Sequence, residues 1–509
     1  MSFPRISRDP NRLDKFLRIF TRSFLVSLIL FLTYSLTRPP YLSLTRGTDG
    51  GELTLASATF GVAHPPGYGL YTLVAGLAIH TLPGDDAVQK MQTFSSLIAI
   101  IVSLLVGGLV ASQLTDPLYK RQAFTLAALL CGWSRPVWEQ ALMIEVYLFL
   151  ALLLAGLCWM IHTRQTTTKT FLIGHVFGLA LTHHLTALLW LPGMFILLWR
   201  QDTRRITVRH SPLLLLGFVT GLWSWLYLRV RAGHVPQANW GGIERGIDAF
   251  VAHITAQDYR VFLQSFSLDA VLQGIVQWVK SVPTQITPFG AVLLLVGIII
   301  TARHRQRRLW LLAAGVWIVC VAGFTGLYRA PETQAAYSLA LIIPIVIITT
   351  MSLMNLMISW SWILREIMTW CLPLMIFFSH AQIINQRGDT SGLDFLAQVD
   401  QYAPAHAIVL VERDGETFLL WAAQHDGWRP DVTIVNGTLL HQDWYAEALV
   451  ILNPDIPLTG TSQAERLQSL YTTTRPLIAP RLIKPPPRMR AIPLGQGWYC
   501  LVRSTDVCH

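Results

Sequence analysis

Long apolar runs recur through the first 380 residues, among them "SFLVSLILFLTYSL", "SSLIAIIVSLLVGGLVA", "FGAVLLLVGIII" and "SLALIIPIVIITTMSLMNLMI". Their lengths lie near or somewhat below the roughly 20 residues a helix needs to cross a bilayer, and they predict about eleven spans. The pattern changes after His380, where polar and apolar positions mix. There "AHAIVLVE" predicts a buried strand, "GETFLLWAAQHDG" a helix closed by Gly427, and "RPDVTIVN" a second strand. The Pro-rich "LIKPPPRMRAIPLGQGWYCLV" predicts a loop and a final strand. The expected fold is therefore a mainly α, polytopic bundle over residues 1–380, followed by a soluble α/β domain over residues 381–509. Two loops between spans are long, about Arg38 to Gln92 and Arg229 to Thr284, and their amphipathic stretches predict helices lying along the membrane surface.

Composition agrees. Of 509 residues 52% are hydrophobic and only 13% charged, against about 25% charged in soluble domains. The chain carries a net charge of +10, and where that charge sits matters more than its size. With the N-terminus placed in the cytoplasm, the inner segments hold 19 Lys and Arg against 5 Asp and Glu, the outer loops 10 against 11, and the tail after His380 10 against 13. Basic residues favour the cytoplasmic side of span ends, so this asymmetry predicts an inner N-terminus and, after an odd number of spans, an extracytoplasmic tail, as in a bacterial inner membrane. The basicity is a topology signal and calls for membrane lipids and no nucleic acid as partner. Ser23 to Leu36 lacks a small-residue cleavage site and reads as an uncleaved first helix rather than a signal peptide. Four cysteines fall in or near apolar runs; Cys500 and Cys508 lie in the tail, where a disulfide is open to them.

Chemistry gathers in "RGTDGGELTLASATFGVAHPPGYGLY". Asp49 and Glu52 stand there just past the outer end of the first span. Carboxylates so placed can act as general base to a hydroxyl or bind a divalent cation, Mg2+ or Mn2+, through hard oxygen ligands. Two solvated loop acids would be the plainer reading. The glycines and the His-Pro-Pro-Gly turn that holds His64 and Tyr68 argue for a shaped backbone instead. His183 and His184 fall between two apolar segments whose far ends, Lys169 and Arg200, are both cytoplasmic, which places the pair at the outer end of a helical hairpin. Arg231, Arg329, Glu145, Trp240 and His253 are further outer polar or aromatic groups, each with an ordinary packing or helix-end explanation beside a functional one. "NGT" at Asn436 matches a glycosylation sequon, a pattern frequent by chance.

A family resemblance rests on these segments. "TDGGELTLASATFGVAHPPGYGLYTLVAGL", "WSRPVWEQALMIEVYLF", "GLALTHHLTALLWLPG", "NWGGIERGIDAFVAHITAQDYR" and "AIVLVERDGETFLLWAAQHDGWRPDVTIVNGTLLHQDWY" together resemble, in order, the DUF2723 family of GT-C membrane glycosyltransferases, which includes animal protein O-mannosyltransferases. The resemblance implies a polyprenyl-phosphate sugar donor and transfer outside the cytoplasm to a hydroxyl of a protein, lipid or glycan acceptor. It implies Asp49 and Glu52 as catalytic acids, with a divalent cation at the same pair left open. It implies His64, His183, His184, Arg231 and Arg329 around the departing phosphate, and Tyr68, Glu145, Trp240 and His253 against acceptor or sugar. The family pattern reads Asp-Ser-Gly-Glu where this chain has Gly50 in place of the Ser, so a hydroxyl is missing.

The competing class is a sugar-lipid or lipid transporter. A transporter carries ionisable groups near mid-membrane, whereas the charges of this chain cluster at span ends.

Overall fold

A computed structural model describes residues 10–163, 166–199, 209–303, 308–330, 333–482 and 489–503. The chain is mostly helical up to Ile384. It begins with α1 (Pro10–Thr37), α2 (Gly50–Ala58), α3 (Gly69–Thr81), α4 (Ala87–Ala111), α5 (Pro117–Trp133), α6 (Arg135–Ala141), α7 (Tyr147–His162) and α8 (Thr167–His183). Six helices among the described residues are long and apolar enough to cross a membrane: Ala87–Ala111, Ser211–Arg231, Leu268–Arg303, Arg308–Leu327, Ala335–Leu356 and Trp362–Ile384. Four more apolar helices are shorter: Thr21–Thr37, Gly69–Thr81, Tyr147–His162 and Leu185–Leu198.

Small residues let helices approach closely where the hydrophobic effect gives no drive between them. Gly174 and Gly178 of α8 face Gly217 and Gly221 of the next long helix. A Cβ on Gly174 would lie 2.0 Å from the Leu214 carbonyl oxygen, and one on Gly217 would lie 2.1 Å from that of Phe171. α1 is tied to α5 by the Tyr34 hydroxyl, which donates to the Gly132 carbonyl at 2.8 Å. Near the predicted inner face Arg22 pairs with Glu366 at 2.7 Å, joining α1 to the last long helix.

The first outer loop departs from expectation. α2 does not lie along a membrane surface: all nine of its residues are buried, because the tail packs on it. A Cβ on Gly51 would stand 2.0 Å from the Phe418 carbonyl oxygen, so only glycine allows this helix crossing. Gly51→Ala is expected to destabilise the protein by about 1–3 kcal/mol through overpacking, read as a lower melting temperature in detergent. In the second outer loop the long predicted helix is broken. Ile247–Ile254 is helical, Ala256 takes a left-handed φ of 49°, and a 3-10 turn follows over Gln257–Phe262.

The tail forms a five-stranded sheet of β1 (Ile408–Val411), β2 (Thr433–Asn436), β3 (Leu477–Ala479), β4 (Met489–Gly495) and β5 (Trp498–Arg503), ordered β2-β1-β3-β5-β4. β1 runs parallel to β2 and β3, and β5 antiparallel to β3 and β4. The predicted strand, helix (Asp414–His425) and strand are present, and Gly427 ends the helix with φ 93°. The single predicted final strand is a hairpin, and Pro493 is accommodated because β4 is the sheet edge, where a missing N–H breaks no ladder. Cys500 is disulfide-bonded, while Cys508 lies outside the described residues. One continuous apolar core runs from the helical part through Leu53 and Leu55 of α2 into Phe418, Leu419 and the sheet.

Candidate active site

The two acids of the first outer loop have different surroundings. Asp49 sits at the N-cap of α2, makes no capping bond with its side chain, accepts from the Thr48 hydroxyl at 3.1 Å and keeps 32% of its side chain exposed. Glu52, one helical turn on, is only 2% exposed. Both its oxygens are taken by one residue: Oε1 accepts the His64 backbone N–H at 2.9 Å, and Oε2 meets His64 Nδ1 at 2.9 Å. The His-Pro-Pro-Gly turn makes this geometry local. It closes with the Gly67 N–H on the His64 carbonyl at 2.8 Å and delivers Tyr68, at φ 46°, as the N-cap of α3.

With Nδ1 fixed on Glu52, the other imidazole nitrogen points outward. His64 Nε2 lies 3.7 Å from an Asp49 oxygen and 3.4 Å from the Tyr68 hydroxyl. Burial alone would depress His64, but the Glu52 and Asp49 carboxylates outweigh it and push it up to about 9. Burial raises Glu52 against the pull of His64. The two therefore form a closed, buried acid–base pair beside a more open acid.

Aromatic side chains extend the site away from Asp49. Tyr68 lies 5.7 Å from His183 and 6.2 Å from His184 between ring centroids. His184 in turn lies 5.7 Å from Tyr147 and 5.2 Å from Tyr337. The histidine pair is split because the helix ends between its members: His183 is the last residue of α8, and His184, its C-cap, has extended backbone at φ −152° and ψ 130°. His183, fully buried, binds the Val146 carbonyl through Nε2 at 2.9 Å. His184 caps the following 3-10 turn, taking the Thr186 N–H at 3.3 Å and facing its hydroxyl at 2.7 Å through Nδ1, so Nε2 is the nitrogen the cap does not use.

Other expected residues are placed less directly. Glu145 stands in the link before α7, with an oxygen 3.8 Å from where a Gly47 Cβ would be, and its charge is felt at His64. Trp240 lies 6.1 Å from His64 and packs at a tilt against Trp444 of the tail at 4.8 Å between ring centroids. His253 is 3% exposed and lies between two glycines, since a Cβ on Gly67 or Gly241 would come within 2.9 or 2.6 Å of its ring nitrogens. Burial and the His64 charge push it down to about 3.

Arg231 departs from its expected place on a phosphate. Its guanidinium donates to the Phe60 carbonyl at 2.5 Å and the Thr59 carbonyl at 3.1 Å, because the end of α2 leaves carbonyls that need donors. Arg329 is exposed, and its backbone N–H is bonded to the Phe262 carbonyl at 2.8 Å. A divalent cation does not fit the Asp49 and Glu52 pair, since both Glu52 oxygens are occupied and the positive His64 stands between the acids. Among the described residues no group of three or more His, Cys, Asp or Glu is arranged to hold a metal ion.

Sequence reasoning missed two contributors. Tyr259 of the second outer loop lies 6.4 Å from His64. Asp414, at the start of the helix Asp414–His425, is brought near the site by the packing of that helix on α2, where a Cβ on the adjoining Gly415 would lie 3.7 Å from Thr48 Cγ2. Neither has a local signal, because both reach the site through tertiary packing.

The domain family described as "Protein O-mannosyl-transferase TMEM260 N-terminal domain" matches residues 49–207, starting at Asp49. A second, "TMEM260-associated domain 2", matches residues 390–453. The chain is 24% identical over 469 residues to "Protein O-mannosyl-transferase TMEM260" of Mus musculus, covering 84% of this chain and 64% of that protein. It is 29% identical over 170 residues to the Dictyostelium discoideum protein of that name, covering 31% of this chain and 20% of the other. The chain thus spans less than two thirds of the length of either relative. Among solved structures, ArnT from Cupriavidus metallidurans bound to undecaprenyl phosphate has the same overall fold. Its TM-score is 0.56 at 13% identity, covering 94% of this chain and 97% of that one. At that identity the likeness is one of fold.

Proposed function

We propose that this chain is a GT-C glycosyltransferase of the kind the sequence resemblance implies, moving a sugar from a polyprenyl-phosphate donor to a protein hydroxyl on the extracytoplasmic side. The observation that carries the reading is the asymmetry of the two acids. One is buried and locked to His64, and the other is open at the start of α2. In the reaction Asp49 accepts the proton of the acceptor hydroxyl as its oxygen bonds to the anomeric carbon. The bond from that carbon to the phosphate oxygen breaks, and the electron pair leaves with the polyprenyl phosphate. Glu52 and His64 act as positioning residues that hold the turn beside Asp49.

The donor side is assigned to His184 Nε2 with Tyr147 and Tyr337, a neutral polar and aromatic wall suited to orienting the leaving phosphate. Support comes from the mouse relative, named as a protein O-mannosyltransferase, and from the shared fold with a protein holding undecaprenyl phosphate. The decisive experiment incubates purified protein with a panel of polyprenyl-phosphate sugars and Ser/Thr peptides and measures release of lipid phosphate. No release with any sugar would overturn the reading. In the same assay His184→Ala is expected to weaken donor use. His183→Ala is expected mainly to lower the melting temperature, because the Val146 carbonyl loses its buried partner.

The path of the chain supports the domain division at about residue 380 and an eleven-crossing route: α1, α4, α5, α7, α8, Leu185–Leu198 and the five long helices from Ser211–Arg231 to Trp362–Ile384. α2 and α3 stay on the outer side. With an inner N-terminus the tail lies outside, as in a bacterial inner membrane. A reporter fused at Asn385 is expected to read extracytoplasmic and one near Gln165 cytoplasmic; the reverse at Asn385 would discard the route.

A further inference from the structure

A second cavity lies on the side that the charge pattern assigns to the outside. Gln277 to Gln285 read "QWVKSVPTQ", the last polar stretch before the apolar run that starts at Phe289. All of it belongs to the helix Leu268–Arg303, ahead of a break at Ile286 and Thr287. This stretch, α6 and the short helix Thr333–Ser338 line a cavity of about 200 Å³. Its volume is that of roughly seven waters at their share of the liquid, the room one sugar ring takes.

The walls are polar and carry unmet hydrogen-bonding groups. Arg135, Glu139 and Gln140 come from α6, and Trp278, Ser281 and Gln285 from the long helix. Trp278 is 5% exposed. Its indole Nε1 and the Gln140 Oε1 are both buried, and neither has a hydrogen-bond partner among the described residues. The Gln140 amide nitrogen meets the Met143 sulfur at 3.7 Å, which leaves the carbonyl oxygen unused. A buried donor or acceptor left unpaired weakens a fold, and Phe or Met would fill the same places without that loss. One orphan of each kind at a single cavity marks a place where a ligand supplies the partners.

The charge of the walls narrows the ligand. Arg135 Nε donates to Glu139 Oε1 at 2.9 Å, and Arg46 lies 3.8 Å from the same oxygen. The one cation and the one anion of the lining are thus bound to each other, so an anionic headgroup finds no spare positive charge. Gln285 Nε2 donates to the Ser281 hydroxyl at 2.8 Å, which donates to the Trp278 carbonyl at 2.7 Å, so the opposite wall is a fixed set of amide, hydroxyl and indole. Such a neutral mixture of donors and acceptors, with an indole among them, fits a ligand bearing several hydroxyls on an apolar ring. Ala335 and Ser338 complete the lining on either side of Tyr337, whose ring lies 5.2 Å from His184. The cavity therefore borders the candidate active site but is built from other residues.

We propose that this cavity is a binding site for one neutral sugar ring, a pyranose of a glycan or glycolipid, with the Trp278 N–H and the Gln140 carbonyl oxygen recognising its hydroxyls. The site is separate from the Asp49 centre and does not depend on the glycosyltransferase reading.

The test uses the full chain in lipid nanodiscs free of sugar-headed detergent. Methyl glycosides of the common hexoses are titrated by saturation-transfer NMR, with no donor and no acceptor present. Trp278→Phe and Gln140→Met are each expected to weaken binding about 10-fold. Their melting temperatures are expected to equal or exceed that of wild type, because neither lost atom makes an internal bond. A purely structural role would move the melting temperature and leave the affinity alone. Stronger competition by a monoglycosyl lipid in the disc marks a glycolipid as the source of the sugar, and stronger competition by a soluble disaccharide marks a glycan end; either result supports the site. A protein that binds the sugar in this way and transfers none fails the glycosyltransferase reading and keeps the present one. A wild type that binds no glycoside, unchanged binding in both variants, a loss that follows a lower melting temperature, or binding lost in Asp49→Asn yet kept in Trp278→Phe would each overturn it.

Discussion

Asp49→Asn is expected to lower turnover by about 10²- to 10⁴-fold, the usual contribution of a positioned general base, while leaving the fold and donor binding in place. The substitution keeps the size of the side chain and can still accept from the Thr48 hydroxyl. Asp49 is 32% exposed and makes no capping bond, so its charge contributes to stability mainly through the nearby His64, and a modest fall in melting temperature is expected beside the loss of turnover. Steady-state kinetics of sugar transfer, with a melting curve beside them, separate the two effects. Near-normal turnover in a well-folded variant would remove Asp49 from the chemistry. Glu52 could not take over, because His64 holds both its oxygens.

The second large effect is expected from His64→Ala. It leaves Glu52, 2% exposed, as a buried carboxylate without its partner, and breaking a buried pair in this way costs about 3–5 kcal/mol. A companion Glu52→Gln is expected to recover part of that loss, since the uncompensated charge is then gone. The pair also sets a pH dependence. His64 is raised from its ordinary value of about 6.5 to about 9 in the folded protein. Its charged form therefore contributes stability that is fully present below about 6.5 and is lost as pH rises through about 9. Melting temperatures between pH 7 and 10 should fall in wild type, and the fall should be smaller in His64→Gln. A wild-type curve flat across that window would mean the imidazolium does not hold the turn.

Much of the site lay open to reading because it is local. Asp49, Glu52, His64 and Tyr68 occupy a single stretch, and its Gly and Pro residues announce a shaped turn. Charge predicts the double histidine at an outer hairpin end, and the structure places it at the end of α8, near Tyr68. The unequal fate of the two acids was not readable. Spacing places Asp49 and Glu52 near each other, but only the packing of the tail helix on α2 buries one and leaves the other open. Arg231 was misplaced for a similar reason: a cation in an outer segment looks available until the end of α2 supplies carbonyls for it.

Sequence by itself determined that the chain is a membrane protein, which way its basic residues bias it, where the helical part gives way to mixed α/β, and which short stretch carries reactive side chains. Those properties follow from apolar length, charge and turn chemistry, all carried by neighbouring residues. Tertiary structure alone decided that α2 is buried rather than lying on the membrane, that Glu52 and His64 form a closed pair, and that Asp414 reaches the site from the far end of the chain. Burial and charge pairing depend on what another segment brings to within a few ångströms, and no local pattern encodes that distance.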